Sequence, residues 1–270
     1  MRRFIITVAA VAAAAFPAAA AGQTVPAPDP IITKLDHTPM VELWDGGGGL
    51  PYLGSSTSYN AGDWENALRT FHDSGVYDTE LGQIDSIAQA WMQRFVHAGW
   101  HERSHKARAK LHRRARIAKL HGRKLAIVLD IDETSLSNYS AINADNFTFG
   151  PNSQAEAVNK IGVAIKPTLD LFNLAKKNGV AVFLITGRRE AVRQPTTENL
   201  QEQGFSGWDG LILKPDASTQ TTVAYKSGAR ATIEQQGYRI IANVGDQYSD
   251  LAGGHEDKAF KLPNPFYFLP

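Results

Sequence analysis

The sequence has no cysteine among its 270 residues. This absence excludes disulfide bonds, thiolate zinc sites, iron–sulfur clusters, cysteine nucleophiles and a lipidated N-terminal cysteine. The chain also lacks any apolar run long enough to cross a bilayer comfortably. Charged residues make up 20% of the chain and apolar residues 43%. These proportions exclude a wholly disordered chain, a collagen or a coiled coil, and they indicate one globular domain or slightly more.

The N-terminal segment has the pattern of a signal peptide. Two arginines precede an apolar stretch from Phe4 to Phe16, and Ala19, Ala20 and Ala21 come directly before Gly22. The apolar stretch is shorter than the roughly 20 residues that a membrane-spanning helix needs. We therefore predict a signal peptide over residues 1–21 and an exported protein, secreted or periplasmic, without a stable membrane anchor. An uncleaved membrane anchor is the alternative.

The positive charge is concentrated in one segment. Residues 101–124 contain ten lysines and arginines and a single acid, Glu102, whereas acids predominate over the rest of the chain after residue 21. Such a run is typical of a solvated helix face that docks on an acidic surface. Nucleic-acid binding is the alternative interpretation, but we expect no nucleic acid polymer as a partner.

Three further segments follow the signal peptide. Residues 22–62 are rich in proline, glycine and serine, which predicts a flexible N-terminal arm. Residues 63–122 show apolar side chains at helical spacing and predict a helical segment packed on the core. Residues 123–270 form the main domain in this interpretation.

The main domain alternates between strand and helix patterns. Apolar runs that predict buried strands lie at 125–129, 180–185, 210–213 and 239–244. Segments that predict helices lie at 167–179, 195–204 and 224–237, and two of them begin with proline and all three end at glycine. This alternation predicts an α/β fold with a doubly wound parallel sheet.

Polar and charged side chains follow the predicted strands. Asp130 and Asp132 follow the first strand, Thr186 and Gly187 end the second, and the fourth is followed by the acids Asp246 and Asp250. The carboxyl ends of parallel strands meet at one sheet edge, so these groups are expected to converge there. Four carboxylates at one edge repel each other unless a cation joins them, and oxygen ligands without cysteine favour Mg²⁺.

This residue set is suited to phosphoryl chemistry. A carboxylate beside Mg²⁺ can attack phosphorus, and a second carboxylate two residues later can transfer the proton. A hydroxyl and a lysine can hold the phosphoryl oxygens. Lys226 is the favoured lysine, and Lys214, directly after the third strand, is the alternative. Crowding by like charge predicts a raised pKa for Asp132.

These residues resemble a known family. Residues 130–134 (DIDET), 185–188 (ITGR), Lys226 and the pair Asp246 and Asp250 are similar to the four motifs of the haloacid dehalogenase (HAD) superfamily. The longer strings at 129–138, 225–227 and 261–265 resemble the acid phosphatase branch, which includes plant vegetative storage proteins and bacterial surface acid phosphatases. The resemblance covers about residues 80–270.

The resemblance implies a HAD-like Rossmannoid core with N-terminal helices and a small cap insertion at about 139–165. It implies an Mg²⁺-dependent acid phosphatase that hydrolyses small-molecule phosphomonoesters through an aspartyl-phosphate. Asp130 would be the nucleophile and Asp132 the general acid/base. The phosphoryl group would contact Thr186, Gly187 and Lys226, and the metal would bind Asp130, Asp132 through its carbonyl, Asp246 and Asp250. A non-catalytic storage or binding protein on the same fold is the alternative.

One motif is typical of a different class of enzyme. His101-Glu102-x-x-His105 matches the helix motif of zinc metalloproteases. The extended form of that motif requires glycine and histidine where this chain has Arg108 and Leu111. Cations surround the motif, and positive charge near Zn²⁺ weakens its binding. The sequence therefore favours the phosphatase interpretation over a zinc protease.

Overall fold

The computed structural model describes residues 65–96 and 123–269. The predicted signal peptide, the N-terminal arm and the His101-Glu102-x-x-His105 motif lie outside these residues, as does nearly all of the basic segment. The described elements, in chain order, are α1 (Glu65–Asp73), α2 (Val76–Val96), β1 (Lys124–Leu129), β2 (Leu136–Ser137), α3 (Tyr139–Ala144), α4 (Pro151–Asn159), β3 (Val163–Ala164), α5 (Lys166–Lys177), β4 (Ala181–Arg189), a short 3₁₀ turn (Glu190–Val192), α6 (Arg193–Glu202), β5 (Gly210–Lys214), α7 (Thr222–Gln235), β6 (Tyr238–Gly245), α8 (Tyr248–Leu251) and β7 (Ala259–Lys261).

The central sheet has five parallel strands in the order β5-β4-β1-β6-β7. The four strands predicted from apolar runs form most of it. The three-residue strand β7 was not predicted, because it is short and follows a run of charged residues. Strand β1 lies in the middle between β4 and β6, so the carboxyl ends of these three strands are neighbours.

Helices cover both faces of the sheet, which makes it doubly wound. Alternate residues of β1 point to opposite faces: Ile127 and Leu129 belong to the core on the side of α2 and α5, and Ala126 and Val128 to the core on the side of α7. Because both faces are buried, the strands read as continuous apolar runs instead of alternating patterns.

The N-terminal helices α1 and α2 meet at a turn where Gly75 has a φ of 78°. Helix α2 packs on α5, β6 and β7 through side chains at helical spacing. Helix α1 contacts the insertion, since Arg69 donates hydrogen bonds to Asn143 Oδ1 at 2.7 Å and Asn146 Oδ1 at 2.9 Å. None of the helices in the described ranges combines the length and apolarity of a membrane span.

The segment between β1 and α5 contains the predicted cap insertion. It consists of α3 and α4, and of the strands β2 and β3, which pair antiparallel in a sheet of their own. Helix α4 packs on α6. The two-residue strands carry too little pattern to be read from the sequence. The predicted limits of the cap, about 139–165, stay a prediction.

Candidate active site

The turn after β1 carries Asp130 and Asp132 at the carboxyl edge of the sheet. The N–H of Asp130 donates to the carbonyl of Val244 in β6 at 3.0 Å, which continues the parallel pairing to the strand end. The Asp130 carbonyl accepts a hydrogen bond from Ser135 Oγ at 2.6 Å. Both ends of this short turn are therefore fixed, and Asp130 is buried at its start.

Glu133 fixes the far side of the turn. Its φ of 52° is uncommon for a residue other than glycine. Its side chain is fully buried, accepting the N–H of Asn138 at Oε1 (2.7 Å) and the hydroxyl of Tyr267 at Oε2. These two hydrogen bonds stabilise Glu133 in its left-handed backbone conformation and connect the turn to the C-terminal tail.

Lys226 lies between two of the predicted site carboxylates. Its Nζ donates to Asp130 Oδ1 at 2.5 Å and to Asp250 Oδ1 at 2.6 Å, and all three side chains are buried. Burial acts to lower the pKa of Lys226, but the charges of Asp130 and Asp250 outweigh it and hold the pKa above its usual range. The lysine is therefore a cation at any physiological pH.

Three carboxylates converge beside this lysine. One oxygen from each of Asp130, Asp246 and Asp250 lies within 4.8 Å of the others. Burial, followed by the charge of Asp250, raises the pKa of Asp246 to about 6. Within the described residues, Lys226 contacts two of these carboxylates and the charge of Lys261 acts on Asp246, so three negative charges face two positive ones. An oxygen-only donor set with surplus negative charge fits a hard divalent cation such as Mg²⁺.

Asp246 is held by hydrogen bonds from three elements. Its Oδ1 accepts from Thr134 Oγ1 at 3.0 Å, and its Oδ2 accepts from Gln247 Nε2 and Asn264 Nδ2, each at 2.7 Å. Thr134 belongs to the turn after β1 and Asn264 to the C-terminal tail. Donors of this kind fix the orientation of a metal-binding carboxylate.

The carboxylate of Asp132 pairs with Arg188. Its Oδ1 accepts from Arg188 Nη2 at 2.6 Å and Nε at 2.9 Å, and from Asn138 Nδ2 at 2.9 Å. Its Oδ2 lies 3.4 Å from Thr186 Oγ1. The side chain of Asp132 is therefore not among the three that converge, and its predicted metal contact through the carbonyl stays a prediction.

The expectation that like charge raises the pKa of Asp132 is wrong. Burial does act to raise the pKa of this carboxyl, but the charge of Arg188, and then the hydrogen bonds from Arg188 and Asn138, lower it below its ordinary value. The sequence contained Arg188 directly after Thr186-Gly187. It gave no sign that the guanidinium turns back onto Asp132.

The remaining candidates lie at the ends of β4 and β5. Thr186 is fully buried, and its Oγ1 accepts the N–H of Arg188 at 3.0 Å. Gly187 is exposed, with no atom within 4 Å of the place where a Cβ would be. Lys214 donates to the carbonyl of Gln220 at 2.6 Å and does not join the acids.

A comparison with protein families matches residues 70–270 to the model described as HAD superfamily, subfamily IIIB (acid phosphatase). The match covers well over half of the chain. This chain belongs to that family. The resemblance inferred from the four motifs is therefore confirmed.

The sequences that are similar to this chain include plant proteins. Acid phosphatase 1 of Solanum lycopersicum is 38% identical over 148 residues, which are 53% of this chain and 58% of the relative. Vegetative storage protein 1 of Arabidopsis thaliana is 33% identical over 152 residues, 53% of this chain and 55% of the relative. The chain thus spans little more than half the length of these relatives.

The fold agrees with a solved structure. The class C acid phosphatase from Bacillus anthracis superposes with a TM-score of 0.57 at 18% identity, covering 76% of this chain and 86% of that one. At this identity the likeness shows the fold alone. It confirms the predicted α/β fold with a central parallel sheet.

Among the polar residues that received no role from the sequence are three that contact Asp132 or Asp246. Arg188 and Asn138 contact Asp132, and Asn264 contacts Asp246. All three lie inside the strings that resemble the family, so a signal was present. Their partners are 6 to 56 residues away in sequence, and only the tertiary structure brings them together.

Proposed function

We propose that this protein is an exported, Mg²⁺-dependent acid phosphatase that hydrolyses small-molecule phosphomonoesters through an aspartyl-phosphate. One observation carries the proposal. The turn after β1 presents two carboxylates in opposite settings, Asp130 paired with Lys226 among the converging acids and Asp132 paired with Arg188. Two carboxylates held apart in this way suit separate roles as nucleophile and proton carrier.

In the proposed first step, a carboxylate oxygen of Asp130 attacks phosphorus and the bond from phosphorus to the leaving oxygen breaks. Asp132 donates its proton to that leaving oxygen. Thr186 Oγ, the Gly187 N–H and Lys226 would donate hydrogen bonds to the phosphoryl oxygens. Bound Mg²⁺, held by Asp130, Asp246, Asp250 and the Asp132 carbonyl, would neutralise negative charge on the phosphoryl group and the carboxylates.

In the second step, Asp132 accepts a proton from water as the water oxygen attacks phosphorus. The bond from phosphorus to Asp130 breaks, inorganic phosphate leaves, and both aspartates return to their starting states. The lowered pKa of Asp132 confines its protonated form to acidic solution. Proton donation by Asp132 to poor leaving groups should therefore gain from acidic solution as long as the Asp130 carboxylate, whose pKa burial raises, stays ionised.

The test is hydrolysis of a panel of aryl and alkyl phosphates by the purified protein across pH 4–8. Activity should vanish in EDTA and return with Mg²⁺. Asp130→Asn should abolish turnover while the circular dichroism spectrum stays unchanged. Acid quenching of Asp132→Asn during turnover should trap a hydroxylamine-sensitive phosphoryl label, because water attack lacks its base. Equal activity of Asp130→Asn and wild type would end the assignment of the nucleophile.

Storage or binding without catalysis is the second candidate, favoured by the likeness to a vegetative storage protein. The intact Asp130 and its pairing with Lys226 argue against it. Failure to hydrolyse every phosphate in the panel, by a folded protein supplied with Mg²⁺, would support it. Export is proposed on the sequence of residues 1–21 alone. N-terminal sequencing of protein recovered outside the cytoplasm should find Gly22 first.

A further inference from the structure

Arg230 is a buried cation without a part in the proposed chemistry. It lies on α7 four residues after Lys226, so the two side chains share one face of the helix. Its relative exposure is 0%. A buried guanidinium requires both a counter-charge and acceptors for its N–H groups. The identity of those partners indicates what Arg230 does.

The guanidinium of Arg230 donates hydrogen bonds to three carbonyl oxygens of one loop. Nη1 donates to the carbonyl of Asp250 at 2.6 Å, Nη2 to that of Ala252 at 2.5 Å, and Nε to that of Gly254 at 2.8 Å. Glu256 supplies the counter-charge, with its Oε2 at 2.9 Å from Nε. Every contact therefore falls on the loop that begins with a site carboxylate.

This loop has little structure of its own. Helix α8 is a single turn that ends at Leu251, and Ala252 is already extended. Gly253 and Gly254 follow with φ values of 92° and 76°. Two glycines in succession lose much conformational freedom on ordering, so external contacts must fix this path. Asn243, which donates to the Asp250 carbonyl at 3.1 Å, adds one contact to those of Arg230.

We propose that Arg230 is a positioning residue of the metal site, which fixes the main chain of Asp250 so that its carboxylate stays beside Asp130 and Asp246. Lys226 holds Asp250 by its side chain, and Arg230 holds it by its backbone one helical turn further on. Helix α7 thus contacts both the carboxylate and the main chain of Asp250, and the N–H of Gln247 donates to the other carboxylate oxygen, Oδ2, at 2.9 Å. The inference rests on the proposed function, since the cation site is part of it.

The test compares Mg²⁺ affinity in the wild type and Arg230→Lys by isothermal titration calorimetry, without substrate. Lysine keeps the charge but cannot reach three carbonyls at once. The dissociation constant should rise about 10- to 100-fold, the usual effect of losing a partner that orients a metal ligand. At saturating Mg²⁺, kcat and KM for an aryl phosphate should return to within about threefold of wild type.

Two further variants complete the design. Arg239→Lys is the control, because Arg239 pairs with Asp257 at the opposite end of β6, and its Mg²⁺ affinity should not change. Arg230→Met combined with Glu256→Gln removes the buried pair without leaving a lone charge. This double variant repeats the measurement if Arg230→Lys does not fold, and it should also bind Mg²⁺ more weakly.

The outcomes separate this inference from the proposed function. A lower melting temperature in EDTA with unchanged Mg²⁺ affinity would show a merely structural arginine and overturn the inference. If the wild type hydrolyses no phosphate ester but the Arg230 variants bind Mg²⁺ more weakly than the wild type, the inference is upheld and the proposed function is overturned. A wild-type protein that binds no Mg²⁺ would overturn both.

Discussion

Arg188→Gln tests the pairing that separates Asp132 from the other acids. The substitution removes donors that lie 2.6 and 2.9 Å from Asp132 Oδ1. A hydrogen bond between charged partners contributes about 1.5–3 kcal/mol, and removing one partner of a buried ion pair costs about 3–5 kcal/mol. The Asp132 side chain is 22% exposed, and water can partly replace the lost donors. We therefore expect a loss near the lower limit, about 3 kcal/mol at pH 7.

This loss should depend on pH in a defined direction. Burial acts to raise the pKa of Asp132, but the charge and hydrogen bonds of Arg188 lower it below the ordinary 3.8. A carboxyl with a lowered pKa stabilises the fold above its unfolded pKa, and that contribution disappears as the pH falls through the folded pKa. The difference in stability between wild type and Arg188→Gln should therefore be full above about pH 5 and shrink below pH 4.

Urea unfolding in EDTA at pH 7, 5 and 3.5 measures the difference. Lys166→Gln is the control, since Lys166 pairs with Asp170 on the surface and both side chains are more than 50% exposed. Exposed pairs contribute about 0–1 kcal/mol, so this variant should change stability little at any pH. A loss for Arg188→Gln that is equal at all three pH values, or no larger than the control, would refute the reasoning.

Two other predictions concern the same sheet edge. Lys226→Ala should lower kcat about 10²- to 10³-fold, because it removes the proposed charged contact to the phosphoryl group. Lys214→Ala should change mainly KM and by less than about tenfold. Steady-state kinetics with the reverse pattern would mean that Lys214 holds the phosphate. Gly245→Ala would place a Cβ 2.5 Å from the Cβ of Asp250 and should cost about 1–3 kcal/mol. Gly228→Ala on α7, with nothing within 4 Å, should leave stability unchanged or raise it by about 0.5–1 kcal/mol, and a melting temperature for Gly245→Ala no lower than that of Gly228→Ala would contradict the packing argument.

The sequence by itself determined the sheet and most of the residues at its edge. Burial on both faces makes each parallel strand a continuous apolar run. The helices between these runs indicate a parallel sheet with crossover helices. Because parallel strands end at the same edge, Asp130, Thr186 and Asp246 could be placed together before their contacts were known. These are local patterns, repeated along the chain, and they need no knowledge of side-chain direction.

Only the tertiary structure decided how the side chains at that edge divide into pairs. Lys226 was the favoured lysine and Lys214, at the end of a strand, the alternative. Lys226 contacts Asp130 because α7 packs against β4 and β6, the two neighbours of β1. The raised pKa expected for Asp132 was wrong, since Arg188, 56 residues away, turns onto it. Such pairings depend on helix position and rotamer, which distant parts of the chain fix together. No local pattern in the sequence indicates these pairings. The sequence therefore identified the polar side chains at the sheet edge, and the tertiary structure was needed to identify the partner of each.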